Sequence, residues 1–167
     1  MADAEHVERL KQGVEEWNRW REANPEITPN LRAFSFPYVH LSDINLSSAN
    51  LRSANLNYAD LRHANLGSAD LSYAHLRSAN LHSANLSDTA LHSADLRSAN
   101  LRYTDLRSAN LRSANLSSAY LCSADLRFSY LSHAQVLGAK FENAVLTGAC
   151  LEDLHTNSLT DFSDSTC

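Results

Sequence analysis

A five-residue period dominates this chain. Leucine stands at every fifth position from Leu41 to Leu131, nineteen times in succession, and the phase continues through Val136, Phe141, Leu146 and Leu151, for 23 repeats. Leu31 and Phe36 keep the same phase upstream, although their flanks do not match. The site two residues before each centre is small: from position 49 to 149, 18 of 21 are Ala, the exceptions being Thr89, Thr104 and Ser129. The residue directly before the centre is Asn or Asp in 14 of 23 repeats. A period of five excludes the two ordinary elements. On an α-helix it advances the side chain by about 140° net per repeat and scatters the leucines around the axis. On a flat strand successive leucines would alternate faces. Only a chain that bends after each short extended piece gathers them, with coils stacked through parallel backbone bonds and each Leu resting on the Leu of the coil below.

The remaining positions fit that reading. Ala, two residues from the inward Leu, also points inward, where little space remains. Asn, Asp and Ser bond locally to backbone in tight turns, and stacked polar side chains can form ladders between coils. All three prolines (Pro25, Pro29, Pro37) precede the regular coils, as a ladder needing every N–H requires. The period alone leaves a triangular or a square cross-section open.

The runs Ala49-Asn50-Leu51-Arg52-Ser53 and Ala59-Asp60-Leu61-Arg62-His63 resemble the A(D/N)LXX signature of the pentapeptide-repeat proteins, over roughly residues 41–151. The resemblance implies an all-β solenoid: a right-handed quadrilateral parallel β-helix with 20 residues per coil, here nearly six coils and on the order of 28 Å long. The expected organisation is residues 1–40 as capping helix and lead-in, 41–151 as the repeat coil, and 152–167 as a lid or tail. Asp3 is placed to cap a helix that Pro25 would end, with Val7, Leu10, Val14 and Trp17 as its apolar stripe and Trp20 near the edge. The segment from Trp17 to Pro25 resembles the lead-in of cyanobacterial members. Beyond Leu151 the period dissolves, and Leu154, Leu159 and Phe162 are candidates for a short lid. Some members dimerise through this end; a monomer is expected here ahead of such a dimer.

Functional classes are narrowed mainly by what the pattern excludes. A rod filled by Leu and Ala offers no water-excluding pocket, so an enzyme is not expected; His92, Ser93 and Asp95 are generic repeat residues on a convex wall. In 20-residue columns the His and Cys residues do not stack as adjacent ligands, so no metal or other cofactor is expected. Three cysteines at irregular positions make no disulfide framework, and free thiols are expected unless Cys150 pairs with Cys167. The net charge of −5 is small, no apolar run approaches a membrane span, and the charged first twenty residues lack a secretory core. A cytoplasmic protein is the expectation, or a lumenal or periplasmic one if an export signal has been removed.

Partner recognition remains. Some relatives of this type mimic duplex DNA and engage bacterial DNA gyrase, which needs a strongly negative rod. Between positions 41 and 151 there are eight acids and nine bases. That near-neutrality makes gyrase the second choice and gives no support for direct nucleic-acid binding. Protein recognition by surface pattern is the first choice, in keeping with one relative that regulates heterocyst differentiation through protein contact. Column arithmetic stacks Arg107 on Arg127 beside Asp105 and Asp125, with Tyr103, Tyr120, Phe128 and Tyr130 in the same late coils. Arg and aromatic residues are the commonest binding hot spots, and these eight residues form the expected partner-binding patch. The plainer reading is exposed ion pairs of little energetic worth and aromatics covering corners.

Overall fold

The computed structural model describes residues 1–166. Two short helices, α1 (Ala4–Lys11) and α2 (Val14–Ala23), precede the coil. The rest is a stack of isolated parallel bridges in which residue n pairs with n+20: Asn30 with Asn50, Ser35 with Asn55, His40 with Asp60, Asn45 with Asn65, and so on upward. Four bridged positions per twenty residues make the cross-section four-sided, which resolves the choice the period left open. Leucines of consecutive coils stack on the axis fully buried, with the alanines beside them.

Each repeat closes with the same turn. The N–H three residues after a leucine donates back to that leucine's carbonyl, as from Ala54 to Leu51 at 2.9 Å. The residue two after the leucine is left-handed, the signature of a type II turn. That position would ordinarily call for Gly or Asn, yet 24 non-glycine residues from Ala33 to Asp164 adopt it, Ser53 (φ 57°) and Tyr58 (φ 60°) among them. A left-handed L-residue costs on the order of 1–2 kcal/mol. The coil offsets that cost by using the same residue as a ladder donor, as Ser53 N–H does to the Ser72 carbonyl at 2.9 Å.

The Asn/Asp preference has a backbone cause. Of the five N–H groups in a repeat, one closes the turn and three reach a neighbouring coil. The fifth, directly after the leucine, would be orphaned, and the side chain two residues before it accepts its hydrogen: Arg52 N–H to Asn50 Oδ1, Ser72 N–H to Asp70 Oδ1. Where His75 stands instead, the Arg77 N–H finds Asn57 Oδ1 of the adjacent coil at 2.9 Å. Amide ladders also form, as from Asn85 to Asn65 and Asn100 to Asn80. The three breaks in the Ala column keep their buried hydroxyls satisfied on carbonyls: Thr89 on Leu66, Thr104 on Leu101, Ser129 on Leu126.

Three features differ from the sequence reading. Asp3 caps α1 through the Glu5 and His6 N–H groups, but the chain does not continue as one helix to Pro25. It breaks at Gly13 (φ 103°), which starts α2 while Val7, Leu10 and Trp17 all stay buried. Bridging begins at Asn30, inside the segment assigned to the lead-in, because Leu31 and Phe36 fill leucine sites even though their flanks depart from the motif. It also runs past Leu151: Gln135 pairs with His155 at the regular spacing, then Lys140 with Asp161 and Val145 with Thr166, 21 residues apart. One inserted residue between His155 and Asp161 slips the register, which hides a further coil from any strict five-residue count. A pairing of Cys150 with Cys167 lies outside the described residues, among which Cys122 and Cys150 form no disulfide.

Candidate functional site

Twenty-residue columns set the geometry of the wall. Asp105 and Asp125 are bridge partners on consecutive coils, and each holds the arginine two residues on in a fork. Arg107 donates from Nε to Asp105 Oδ1 at 2.8 Å and from Nη2 to Oδ2 at 2.5 Å. Arg127 donates from Nε to both Asp125 oxygens at 2.9 and 3.1 Å and from Nη2 at 2.6 Å. The rungs are linked, since Arg107 Nε lies 3.8 Å from Asp125 Oδ2. Hydrogen bonds from their arginines hold both aspartates below the usual carboxylate range, against the opposing effect of partial burial. The Asp60–Arg62 and Asp95–Arg97 pairs repeat the fork elsewhere on the wall.

Beside the ladder lies a shallow hollow of about 280 Å³ lined by Ser87, Asp88, Arg107, Ser108, Arg127 and Phe128. Phe128 is 62% exposed, and its ring lies over Gly148, where a Cβ would meet it at 2.6 Å. Five of the eight expected residues (Asp105, Arg107, Asp125, Arg127, Phe128) therefore share one surface. The other three are held elsewhere: Tyr103 edge-on to His82, Tyr120 under the Arg102 guanidinium at 5.0 Å, and Tyr130 under Arg112 at 4.7 Å. Ser87, Asp88, Ser108 and Gly148 were not singled out from sequence, although Asp88, Ser108, Phe128 and Gly148 form one 20-residue column and the same arithmetic reaches them.

Of the generic repeat residues His92, Ser93 and Asp95, two have partners of their own. Asp95 is tied to Arg97, and the His92 ring packs edge-on against Tyr73 at 4.7 Å. Among the described residues there is no group of three His, Cys, Asp or Glu arranged to hold a metal ion. The Cys150 thiol, 3.1 Å from Ser132 Oγ, is lowered by that hydrogen bond. Among the described residues no helix is long and apolar enough to cross a membrane.

The family described as Pentapeptide repeats matches in eight copies over residues 35–67, 59–97, 91–127 and 123–154. No curated protein matches the chain. Among solved structures it is similar to HetL, a pentapeptide repeat protein involved in heterocyst differentiation regulation from the cyanobacterium Nostoc sp. PCC 7120, at 25% identity over 92% of this chain and 94% of that one, with a TM-score of 0.31. It is similar to alr5209, a pentapeptide repeat protein of the same organism, at 31% identity over 74% and 84%, with a TM-score of 0.25. It is also similar to QnrB1, a plasmid-mediated fluoroquinolone resistance protein, at 16% identity over 74% and 82%, with a TM-score of 0.35. The chain belongs to the pentapeptide-repeat family, whose members form right-handed β-helices.

Proposed function

We propose that this pentapeptide-repeat chain is a non-enzymatic scaffold that recognises another protein through the wall formed by Asp105, Arg107, Asp125, Arg127 and Phe128. The observation that carries the reading is the pair of forked guanidiniums, about half exposed, fixed in register beside an exposed aromatic ring. Long arginine side chains normally lose rotamer freedom on binding. Here their own aspartates restrict them beforehand, on a backbone bonded to the coils above and below. Tyr103, Tyr120 and Tyr130, engaged with His82, Arg102 and Arg112, are left out of this surface.

The test compares the wild-type chain with the R107E/R127E variant as baits in extracts of the source organism, followed by direct binding of the purified partner. A protein held by wild type and lost by the variant, with the circular-dichroism spectrum unchanged, supports the reading. Equal retention by both baits overturns it. Gyrase engagement is the second reading, disfavoured by the near-neutral coil; no effect on supercoiling at micromolar protein would eliminate it.

A further inference from the structure

The Asp–Arg ladder ends unevenly. Arg107 is bracketed by two carboxylates, its own Asp105 and the Asp125 of the next coil. Among the described residues Arg127 pairs only with its own Asp125, because the bridge partner of Asp125 on the following coil is Val145. The other two forked pairs meet a polar amide at the equivalent place, Asn80 above Asp60 and Asn115 above Asp95. Among the described residues, Nη1 of Arg127 has no hydrogen-bond partner. Next to it the Phe128 ring is exposed, lying down over Gly148.

We propose that Arg127 receives an acidic side chain, Asp or Glu, of the partner protein, which occupies the rung left vacant at Val145 while an apolar neighbour of that acid packs on Phe128. This rests on the recognition reading above and names its chemistry. A guanidinium presents five N–H donors in a fixed fork and can serve two carboxylates at once, as Arg107 does within the chain. Arg107 and Arg127 both line the hollow, and their own aspartates take only the Nε and Nη2 hydrogens, so the Nη1 hydrogens of Arg127 remain for a further acceptor. The carboxylate would meet a donor already oriented by Asp125, which lowers the ordering cost of binding.

The discriminating variant fills the rung from within. Aspartate occupies the equivalent bridge position at Asp60, Asp70, Asp95, Asp105 and Asp125, so V145D suits the coil and places a carboxylate where the partner's would go. V145N supplies the same shape without the charge. The probe is the blocked tripeptide acetyl-Leu-Glu-Leu-amide, with acetyl-Leu-Gln-Leu-amide as its neutral match, titrated into the full ¹⁵N-labelled chain. The expected result is a saturable shift of the Arg127 Nε–H resonance with the Glu peptide and at least tenfold weaker binding of the Gln peptide. The site should be lost in V145D and kept in V145N, with Arg62 and Arg97 unmoved. Equal action of the two peptides, no shift at Arg127, wild-type binding by V145D, or equal loss in V145N would each overturn the proposal. The captured partner separates the two levels. A partner lost by R107E/R127E but held by V145D sinks this inference and leaves the recognition reading standing, whereas one held by both sinks the reading itself.

Discussion

The two ends of the coil meet the same physical problem in different ways. A stacked solenoid exposes unpaired N–H and C=O groups and apolar surface wherever stacking stops. At the first coil, side chains from the helices take over the bonds of an absent neighbour. Trp17, fully buried, donates from Nε1 to the Asn45 carbonyl at 2.7 Å, and Asn18 Oδ1 accepts the Asn45 N–H at 2.8 Å. Arg21 reaches the carbonyls of Ser47 and Ile27. From α1 and its cap, His6 Nδ1 accepts the Asn30 N–H and the Asp3 N–H donates to the Asn30 carbonyl. At the last coil no helix covers the stack among the described residues. Phe162 stacks on Phe141 with ring centroids 4.8 Å apart, Thr160 stitches the inserted residue by donating to the Val136 carbonyl, and Leu159 stays 67% exposed. A buried end needs a polar group for every backbone atom it covers, whereas an exposed end can leave those atoms to water.

The contrast is easiest to break at Trp17. Trp17→Ala should cost about 3–5 kcal/mol by emptying a buried site and freeing the Asn45 carbonyl, whereas Phe162→Ala should cost about 2 kcal/mol, because a partly buried ring stacked on the buried Phe141 is lost; urea midpoints of the two variants measure the difference. Equal losses would mean that both ends are packed alike.

Arg21 tests whether the cap works by hydrogen bonding or by bulk. Burial pushes its guanidinium below the ordinary value, and its Nε is a buried donor without a partner, so the group is retained at a desolvation cost. Arg21→Met keeps the stem but orphans two carbonyls. A loss of about 2 kcal/mol is expected; an unchanged midpoint would assign the cap to packing alone. At the other end, Thr160→Val should cost about 1 kcal/mol and speed amide exchange in the last coil only. Native-state exchange should already rank the coils, with amides between Leu51 and Leu131 opening near the global limit and those of Leu151 and Asp153, which have no backbone acceptor among the described residues, opening far more readily.

Acid should act on the last coil as well as on the wall between the ends, because the Ser163 N–H holds the Asp161 carboxyl low. Asp60, Asp95, Asp105 and Asp125 are each held low by the arginine two residues on. A carboxyl whose folded pKa lies below its unfolded one stabilises the fold fully above the unfolded value, about 4, and that contribution is lost as pH falls through the folded value. The melting temperature should therefore be level from pH 7 to 5 and fall below about pH 4. Asp105→Asn and Asp125→Asn should each flatten that fall slightly, the smallest of these effects because exposed ion pairs are screened. A fall beginning above pH 6 would instead implicate a histidine.

Leucine and alanine recurring every five residues define the core and the stacking from sequence alone, because burial of the same inward side chains at each bend is a property of local spacing; the near-neutrality of the wall is a matter of counting acids and bases. The Asp–Arg pairs followed from the same arithmetic once twenty residues per coil was assumed. Other features had no local signature. A serine at the left-handed corner looks like any surface serine, since the intercoil hydrogen bond that offsets its strain comes from a residue nineteen positions away. The last coil was hidden by one inserted residue, which bridging across 21 positions absorbs but a fixed period does not. The helix break at Gly13 depends on how α1 and α2 both reach the open edge, and the hollow beside Phe128 depends on the missing Cβ of Gly148 one coil above. Repetition within the chain dictated what repeats; which exceptions meet, and at which surface, was decided only when distant coils came into contact.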